Sequence, residues 1–379
     1  MTGYKRAKLG QLNRLVTLKN KVTTHKRNIC DAAFKPISDI HFAKKLESLL
    51  GQATCTSYPD HQIKSILCSL DVIKNNYLHN GRLRKEACEA SDALFYRAGA
   101  DVTIVARDLK KLQSARETIK CGTDRNNNVF VLSVDLTSEY SVLNEILSKH
   151  VATLGSVDIL VNCAGYAVAR KFLDTPTDDI QGMLHLNYLS AVHVTKILLP
   201  YMLDQKVHQT EERRIAFICS LASQVGVYGY AAYTGSKYAL RGFAETLDME
   251  LGHKGPFVTI AFPPDTDTPG YIHENVGKPV ATKAISATAG LASPDDVAKS
   301  VYLDITNGKL ISTCGLEGVF LSWITAGIFP PVSVRCRYLS DFIPGIIFAC
   351  VEILAATPLR AVGIVYAFWM RYISFKYNE

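Results

Sequence analysis

Residues 214–237 read RIAFICSLASQVGVYGYAAYTGSK and join a predicted strand to the start of a predicted helix. Arg214–Cys219 is a short, largely apolar run, which is typical of a strand covered on both faces. A helical pattern follows over Tyr233–Glu250. Ser220 comes directly after the strand. The tyrosine that begins the helix lies four residues before Lys237, so the two side chains share one helix face.

The same alternation of strands and helices extends in both directions. The predicted strands are Asp101–Ala106, Val129–Val134, Val157–Val161, Arg214–Cys219 and Phe257–Phe262, and the predicted helices are Arg82–Ala98, Leu109–Lys120, Ser138–His150, Ile180–Met202 and Tyr233–Glu250. Ser293-Pro294 begins a further helix, since serine caps the first N–H groups and proline suits the first turn. The sequence therefore predicts an α/β fold, a Rossmann-type doubly wound parallel sheet.

The chain divides into three predicted regions. Residues 1–80 have mixed polarity and no sustained period, and Ile63–Ile73 is the one apolar stretch there that could form a strand. Residues 81–312 hold the α/β domain, and residues 313–379 form a C-terminal region. Much of the net charge of +7 lies in the first fifty residues. Such an arm either attracts anionic partners or is a solvated tail. It lacks aromatic interleaving and zinc-ligand spacing, so we expect no nucleic-acid partner and no metal.

The C-terminal region contains two strongly apolar runs, Val319–Val332 and Phe342–Met370. A helix that spans a membrane needs about 20 apolar residues. The second run is long enough, but prolines and charged residues interrupt it. We expect a membrane-associated helical tail, as a re-entrant or interfacial pair of helices or one imperfect span. Trp369, Tyr372 and Tyr377 resemble an interfacial aromatic belt. A buried core helix or an oligomer interface is the alternative.

The ten cysteines are scattered, without a C-x-x-C pair. Because the N-terminus carries no secretory signal pattern, we expect reduced thiols in a protein that faces the cytosol.

Several motifs around the first stretch resemble the short-chain dehydrogenase/reductase family. Asn162-Cys163-Ala164-Gly165 follows a predicted strand, Asn187 lies on the next helix, and Ser220, Tyr233 and Lys237 have the family's S-x12-Y-x-x-x-K spacing. Tyr4/Lys8 and Tyr372/Lys376 also have the Y-x-x-x-K spacing. The resemblance therefore depends on the occurrence of all these motifs together. The resemblance runs from about Gly99 to Gly308.

The residue types suit the reduction of a ketone, which needs a hydride on carbon and a proton on oxygen. Tyr233 would be the proton donor, and the ammonium of Lys237 would lower the pKa of that tyrosine. Ser220 would hydrogen-bond the carbonyl and polarise it. The resemblance further implies that Asn187 holds a water that relays protons to Lys237. The alternative is a capping serine, a core tyrosine and a surface lysine.

Predicted cofactor contacts lie at strand ends. Arg107 follows the strand Asp101–Ala106, and Lys111 lies one turn further on; cations there suit the 2′-phosphate of NADPH, whereas Asp108 could hold a ribose diol instead. Residues 263–268, PPDTDT, resemble the family's P-G-x-x-x-T segment, with Pro264 in place of glycine. The expected cofactor-binding residues are Arg107, Lys111, Asp135, Leu136, Asn162, Ala164, Gly165, Tyr233, Lys237, Thr266 and Thr268.

A narrower resemblance rests on residues 262–270, FPPDTDTPG, on Tyr228-Gly229-Tyr230, and on the pairs Glu274-Asn275, Lys278-Pro279 and Ile285-Ser286. These residues look like the branch of the family that reduces 3-ketodihydrosphingosine, a long-chain β-keto amine. That resemblance implies NADPH, a lipid substrate, and an endoplasmic reticulum membrane location with the site facing the cytosol. Members often pair through the helices that carry Asn187 and Tyr233, which would allow a homo-oligomer, although the sequence itself does not indicate the oligomeric state. The alternatives are a reductase of another lipophilic carbonyl, such as a steroid or retinoid, or a non-catalytic relative.

One family motif is missing from the sequence. The nucleotide loop T-G-x-x-x-G-x-G should lie between the first strand and first helix, but residues 1–98 contain no triple-glycine turn, and Asn80-Gly81-Arg82 offers one glycine. Such glycines let backbone N–H groups approach the pyrophosphate. Either residues 1–80 come from a mis-joined exon, or the protein has lost this part of its cofactor site.

Overall fold

A parallel β-sheet forms the centre of the protein. The computed structural model describes residues 65–69, 87–121, 126–155, 157–204, 213–252, 255–325, 363, 365 and 367–377. In these residues the strands are β1 (Ser65–Ser69), β2 (Asp101–Ala106), β3 (Val129–Ser133), β4 (Ile159–Asn162), β5 (Arg214–Ile218), β6 (Phe257–Phe262) and β7 (Ile311–Thr313). Their order across the sheet is β3-β2-β1-β4-β5-β6-β7, and every neighbouring pair is parallel.

Helices connect the strands and cover the sheet. They are α1 (Ala87–Arg97), α2 (Leu109–Lys120), α3 (Tyr140–Leu154), α4 (Thr177–Leu184), α5 (Ser190–Leu203), α6 (Ala231–Leu251), α7 (Pro269–Glu274), α8 (Val280–Ala289), α9 (Pro294–Thr306) and α10 (Gly315–Thr325). One apolar cluster joins the sheet to α3, α5 and α6, and a second joins it to α1, α2 and α9. The sheet is therefore buried on both faces, and the predicted doubly wound α/β fold is confirmed.

Strand β1 lies in the middle of the sheet, inside the predicted stretch Ile63–Ile73. Its Leu67 pairs with Thr103 of β2 on one side and with Leu160 of β4 on the other. The α/β sheet therefore includes residues before position 81, where the sequence places the start of the domain. Residues 1–64 and 70–86, which include the basic arm and the expected nucleotide loop, lie outside the described residues.

The helix expected over Ile180–Met202 is present but is not α-helical throughout. Between α4 and α5 the chain makes a π-helical turn over His185–Leu189. A π-helical turn holds one extra residue per turn and changes the face that the following side chains occupy. Strand β7 and the short helices α7 and α8 are further elements that the sequence pattern does not predict.

The end of the chain packs against the α/β domain. Residues 367–376 are helical, and Met370 and Ile373 form an apolar cluster with Ala281 and Ile285 of α8. Much of the expected membrane tail, residues 326–362, lies outside the described residues. In the part of the chain that the structure describes, no helix combines the length and the apolar character required to cross a bilayer.

The cysteines correct one expectation. Cys121, Cys219 and Cys314 are free thiols, as expected, but Cys163 is disulfide-bonded. Sequence spacing did not indicate this bond.

The buried strand β2 provides a test of the core. Ile104 is fully buried, whereas Ile272 in α7 is 57% exposed. We expect Ile104→Ala to lower the free energy of unfolding by about 2–5 kcal/mol, since it removes methylene groups from a packed interior. Chemical denaturation measures this value, with Ile272→Ala as the matched control. Equal losses in the two variants would contradict the assigned burial of β2.

Candidate active site

The carboxyl ends of β4, β5 and β6 lie side by side and border one cavity. The cavity has a volume of about 290 Å³, and the catalytic residues predicted from the sequence, Ser220, Tyr233 and Lys237, all line it. Parallel strands place their carboxyl ends at one edge of the sheet, where ligands bind in open α/β folds. The fold therefore brings together residues that are 17 positions apart in sequence, from Ser220 to Lys237.

Ser220 is placed by a tight turn after β5. Its backbone is extended (φ −171°), and its hydroxyl accepts a hydrogen bond of 3.2 Å from the backbone N–H of Ala222 at the start of a short 3₁₀ turn, Leu221–Ser223. The same hydroxyl is hydrogen-bonded to the phenol of Tyr233. A carbonyl oxygen in the cavity would therefore meet two neighbouring hydroxyl groups.

The pKa of Tyr233 is raised above its ordinary value. Burial is the largest cause, and the negative charges of Glu274 and Asp265 raise it further, while the hydrogen bond with Ser220 lowers it. Lys237 is not among these named causes, and its expected lowering of the pKa of Tyr233 stays a prediction. Burial and the two carboxylates dominate, and they favour the neutral phenol, the form that can donate a proton.

Lys237 lies one turn after Tyr233 on α6 and is 5% exposed. Its ammonium donates a 2.8 Å hydrogen bond to the backbone carbonyl of Ile218, the last residue of β5. Burial lowers the pKa of Lys237, because a buried ammonium loses hydration. This hydrogen bond to the end of β5 fixes the amine beside the cavity.

Asn187 occupies the π-helical turn and is completely buried. Its Oδ1 accepts a 2.8 Å bond from the backbone N–H of Tyr166, and its Nδ2 donates to the carbonyl of Tyr166 and to Ser236 Oγ. A Cβ on Gly165 would lie 2.8 Å from Asn187 Oδ1 and 3.3 Å from Lys237 Nζ, so only glycine fits between them. Asn187 thus ties the loop after β4 to α6. Its role in a proton relay stays a prediction.

The end expected to hold adenosine lies beyond β2. Arg107 is partly exposed and lies 3.9 Å from Asp135, between guanidinium Nη1 and carboxylate Oδ2. The carboxylate of Asp108 caps α2 by accepting bonds from the backbone N–H groups of Lys110 and Lys111. Both of these bonds use Oδ1 of Asp108, so one oxygen of this acid belongs to the helix cap. The cations at positions 107 and 111 remain suited to a 2′-phosphate.

Other expected cofactor residues have structural partners. Asn162 is 3% exposed and donates a 3.1 Å bond to Thr195 Oγ1, and Leu136 is packed in the core. Ala164 is also buried in that core cluster. The lining of the cavity does not include these three side chains. Asn162 and Leu136 are thus held in place by their contacts with the core.

The segment after β6 forms the opposite wall. Thr266 and Thr268 line the cavity. Thr266 Oγ1 donates to the carbonyl of Pro264, and Thr268 Oγ1 caps α7 by accepting from the N–H of Tyr271. The segment that resembles the family's P-G-x-x-x-T motif is thus held in a defined turn.

Sequence reasoning missed a cluster of charged and phenolic groups on this wall. Tyr230 donates a hydrogen bond to Glu274, and Lys278 Nζ lies 2.9 Å from Glu274 Oε1 and 3.5 Å from Asp265 Oδ2. The rings of Tyr230 and Tyr233 are 5.5 Å apart between centroids. The i,i+4 spacing of Glu274 and Lys278 was a visible signal for an ion pair. Their proximity to Tyr233 depends on tertiary packing.

Comparison with known proteins agrees with this geometry. The family model for short chain dehydrogenase matches residues 89–276. Over 240 residues the chain is 41% identical to a 3-dehydrosphinganine reductase from Danio rerio, covering 63% of this chain and 71% of the relative. It is 38% identical to a 3-ketodihydrosphingosine reductase from Bos taurus, with the same coverage, and 32% identical to one from Dictyostelium discoideum over 279 residues, covering 70% and 78%.

Solved structures agree at the level of the fold. A short-chain dehydrogenase from Streptomyces avermitilis superposes with a TM-score of 0.53 at 21% identity, covering 68% of this chain and 90% of that one. The match to the family, the relatives and the order of Asn187, Ser220, Tyr233 and Lys237 lead to one conclusion. The chain belongs to the short-chain dehydrogenase/reductase family.

Proposed function

We propose that this protein is an oxidoreductase that reduces 3-ketodihydrosphingosine to dihydrosphingosine with NADPH, a step in sphingolipid biosynthesis. The observation that carries the proposal is the placement of Ser220, Tyr233 and Lys237 around one cavity. The names of the relatives from Danio rerio, Bos taurus and Dictyostelium discoideum support the choice of substrate.

The side chains divide the reaction between them. The hydroxyl groups of Ser220 and Tyr233 would hold the ketone oxygen, and the neutral phenol of Tyr233 would donate its proton to that oxygen as negative charge develops there. A bound nicotinamide supplies the hydride that adds to the carbonyl carbon. Lys237, fixed by the carbonyl of Ile218, would hold the nicotinamide ribose and stabilise the phenolate that remains.

Members of this family use a nicotinamide cofactor, and two observations support NADPH for this chain. Arg107 is partly exposed at the end of β2, and the neighbouring acid, Asp108, is engaged in capping α2. An arginine pairs well with a phosphate through several N–H groups.

A membrane location completes the proposal. The substrate is a long-chain lipid, and residues 326–362 are rich in apolar side chains. We infer an endoplasmic reticulum membrane location with the active site on the cytosolic side. An apolar tail would keep the enzyme where its substrate partitions.

The first test removes the proton donor. We expect Tyr233→Phe to reduce kcat by about 10²–10⁴-fold, since only the phenolic proton is lost. Tyr238→Phe on the same helix, where Tyr238 is 42% exposed, is the matched control and should keep normal activity. Turnover is followed by the loss of NADPH absorbance with a short-chain amino ketone. Near-normal activity of Tyr233→Phe would exclude Tyr233 as the acid.

The second test concerns the choice of cofactor. We expect Arg107→Ala to weaken NADPH binding by about 1.5–3 kcal/mol, the range for hydrogen bonds to charged groups, and to leave NADH binding nearly unchanged. Arg116→Ala, which removes an exposed arginine from α2, is the control. Calorimetric titration measures both cofactors. Equal weakening of NADPH and NADH by Arg107→Ala would mean that the arginine has a structural role only.

The third test addresses the missing glycine motif. Residues 70–86 lie between β1 and α1, where pyrophosphate should bind, and contain one glycine, Gly81. We expect the chain to bind NADPH weakly. Replacing residues 70–86 with the corresponding loop of a relative should tighten binding by at least roughly tenfold, because several backbone N–H groups could then reach the pyrophosphate.

The same graft with its glycines changed to alanine is the control for that experiment. Tight binding of NADPH by the unmodified chain would show that a different loop geometry serves the pyrophosphate. Weak binding of NADPH by both the unmodified chain and the graft would mean that the cause lies outside residues 70–86.

A further inference from the structure

The cavity wall next to Tyr233 carries an excess of negative charge. Asp265, in the turn after β6, and Glu274, at the end of α7, both line the cavity. Lys278 is the cation that these two carboxylates share. Two negative charges and one positive charge leave a net negative charge at this wall.

Lys278 pairs with both carboxylates but does not itself line the cavity. Its side chain is completely buried, and its ammonium lies 5.4 Å from the centroid of the Tyr230 ring and 5.0 Å from that of the Tyr271 ring. It is absent from the residues that line the cavity. The carboxylates therefore face the ligand space, while the cation that orders them lies behind them.

Both acids have capacity left for a ligand. Tyr230 and Lys278 both donate to the same oxygen of Glu274, Oε1. Asp265 Oδ2 is buried and accepts no hydrogen bond from the described residues, although Lys278 Nζ lies 3.5 Å away, and the Asp265 side chain remains 26% exposed. A buried carboxylate oxygen without a donor is unfavourable unless a ligand or neighbouring charge compensates it.

The two carboxylates act at the reacting end of the cavity. Each of them raises the pKa of Tyr233, so their charges reach the phenol that would protonate the ketone. The phenol of Tyr230, which donates to Glu274, belongs to a ring that contacts the ring of Tyr233 in a tilted arrangement, with 5.5 Å between the centroids. A cation attached close to the ketone would therefore meet this wall.

We propose that Asp265 and Glu274 form a cation subsite that binds the ammonium group of the substrate, and that this subsite selects ketones with an amine on the adjacent carbon. The inference rests on the proposed function, because the amine of 3-ketodihydrosphingosine is attached to the carbon next to its ketone. Charge-assisted hydrogen bonds to the ammonium would compensate the excess negative charge. A neutral ketone lipid would remove water from the same carboxylates and would form no ion pair to offset that free-energy cost.

Binding of product analogues tests the subsite without the need for turnover. The probes are a short-chain 2-amino-1,3-diol and the 1,3-diol of equal length that lacks the amine, each titrated calorimetrically into the full chain. We expect the amine to bind at least roughly tenfold more tightly than the neutral diol, as for a charge-assisted bond. Asp265→Asn should abolish most of this preference and leave the affinity for the neutral diol unchanged.

Two further variants complete the test. Glu274→Gln keeps an acceptor for Tyr230 and should also reduce the preference for the amine. Glu117→Gln, which removes an exposed carboxylate from α2, should keep it. If Asp265→Asn or Glu274→Gln does not fold, circular dichroism reveals this, and the other variant decides. Equal binding of the two probes to the unmodified chain, or unchanged preference in both cavity variants, would overturn the subsite.

Reduction of the matching ketones separates this inference from the proposed function. If the chain reduces the amino ketone and the neutral ketone equally well and binds both diols equally, the reductase activity stands and the subsite fails. If the amine is preferred in binding and the preference depends on Asp265, but neither ketone is reduced with NADPH even when a relative's loop replaces residues 70–86, the subsite stands and the proposed reaction fails.

Discussion

Backbone hydrogen bonding between parallel strands determines where every reactive group of this protein lies. Strand β5 pairs with β4 on one side and β6 on the other, with Phe217 opposite both Asn162 and Ile260. This register brings the segments after the three strands to one edge of the sheet. The turn with Ser220, the loop with Gly165 and the turn with Asp265 are therefore neighbours, although about a hundred residues separate Gly165 from Asp265. A shift of one residue in the register would move alternate side chains of the shifted strand to the opposite face of the sheet.

The electrostatics of the cavity suit the donation of a proton. Burial and two nearby carboxylates hold Tyr233 in its neutral form, and Ser220 alone among the named influences acts in the other direction by a hydrogen bond. Lys237 is anchored to the end of β5 rather than to the phenol. The amine is thus in place to receive a ribose, and the tyrosine keeps its proton until a carbonyl oxygen develops negative charge.

The sequence predicted the sheet, and it predicted that Ser220, Tyr233 and Lys237 lie together, because both depend on short sequence patterns. Strand β6 and helix α2 have the predicted bounds, since short apolar runs and a capped helix are local signals. The sequence offered little indication that β1 pairs with both β2 and β4, because a strand of five residues shows little periodicity. The π-helical turn, the disulfide of Cys163 and the cluster of Asp265, Glu274 and Lys278 depend on tertiary contacts. No pattern over neighbouring residues encodes those contacts.

The helix cap made by Asp108 has a consequence for engineering the cofactor preference. Because its Oδ1 already accepts two backbone N–H groups of α2, a rotation of the Asp108 carboxylate toward a ribose would weaken the cap of this helix. An acid introduced in place of Arg107 would replace the cation that now lies beside Asp135 with a second negative charge. Like charges on neighbouring loops repel each other. A change from the proposed preference for NADPH to one for NADH would therefore require coordinated changes on the two loops that follow β2 and β3.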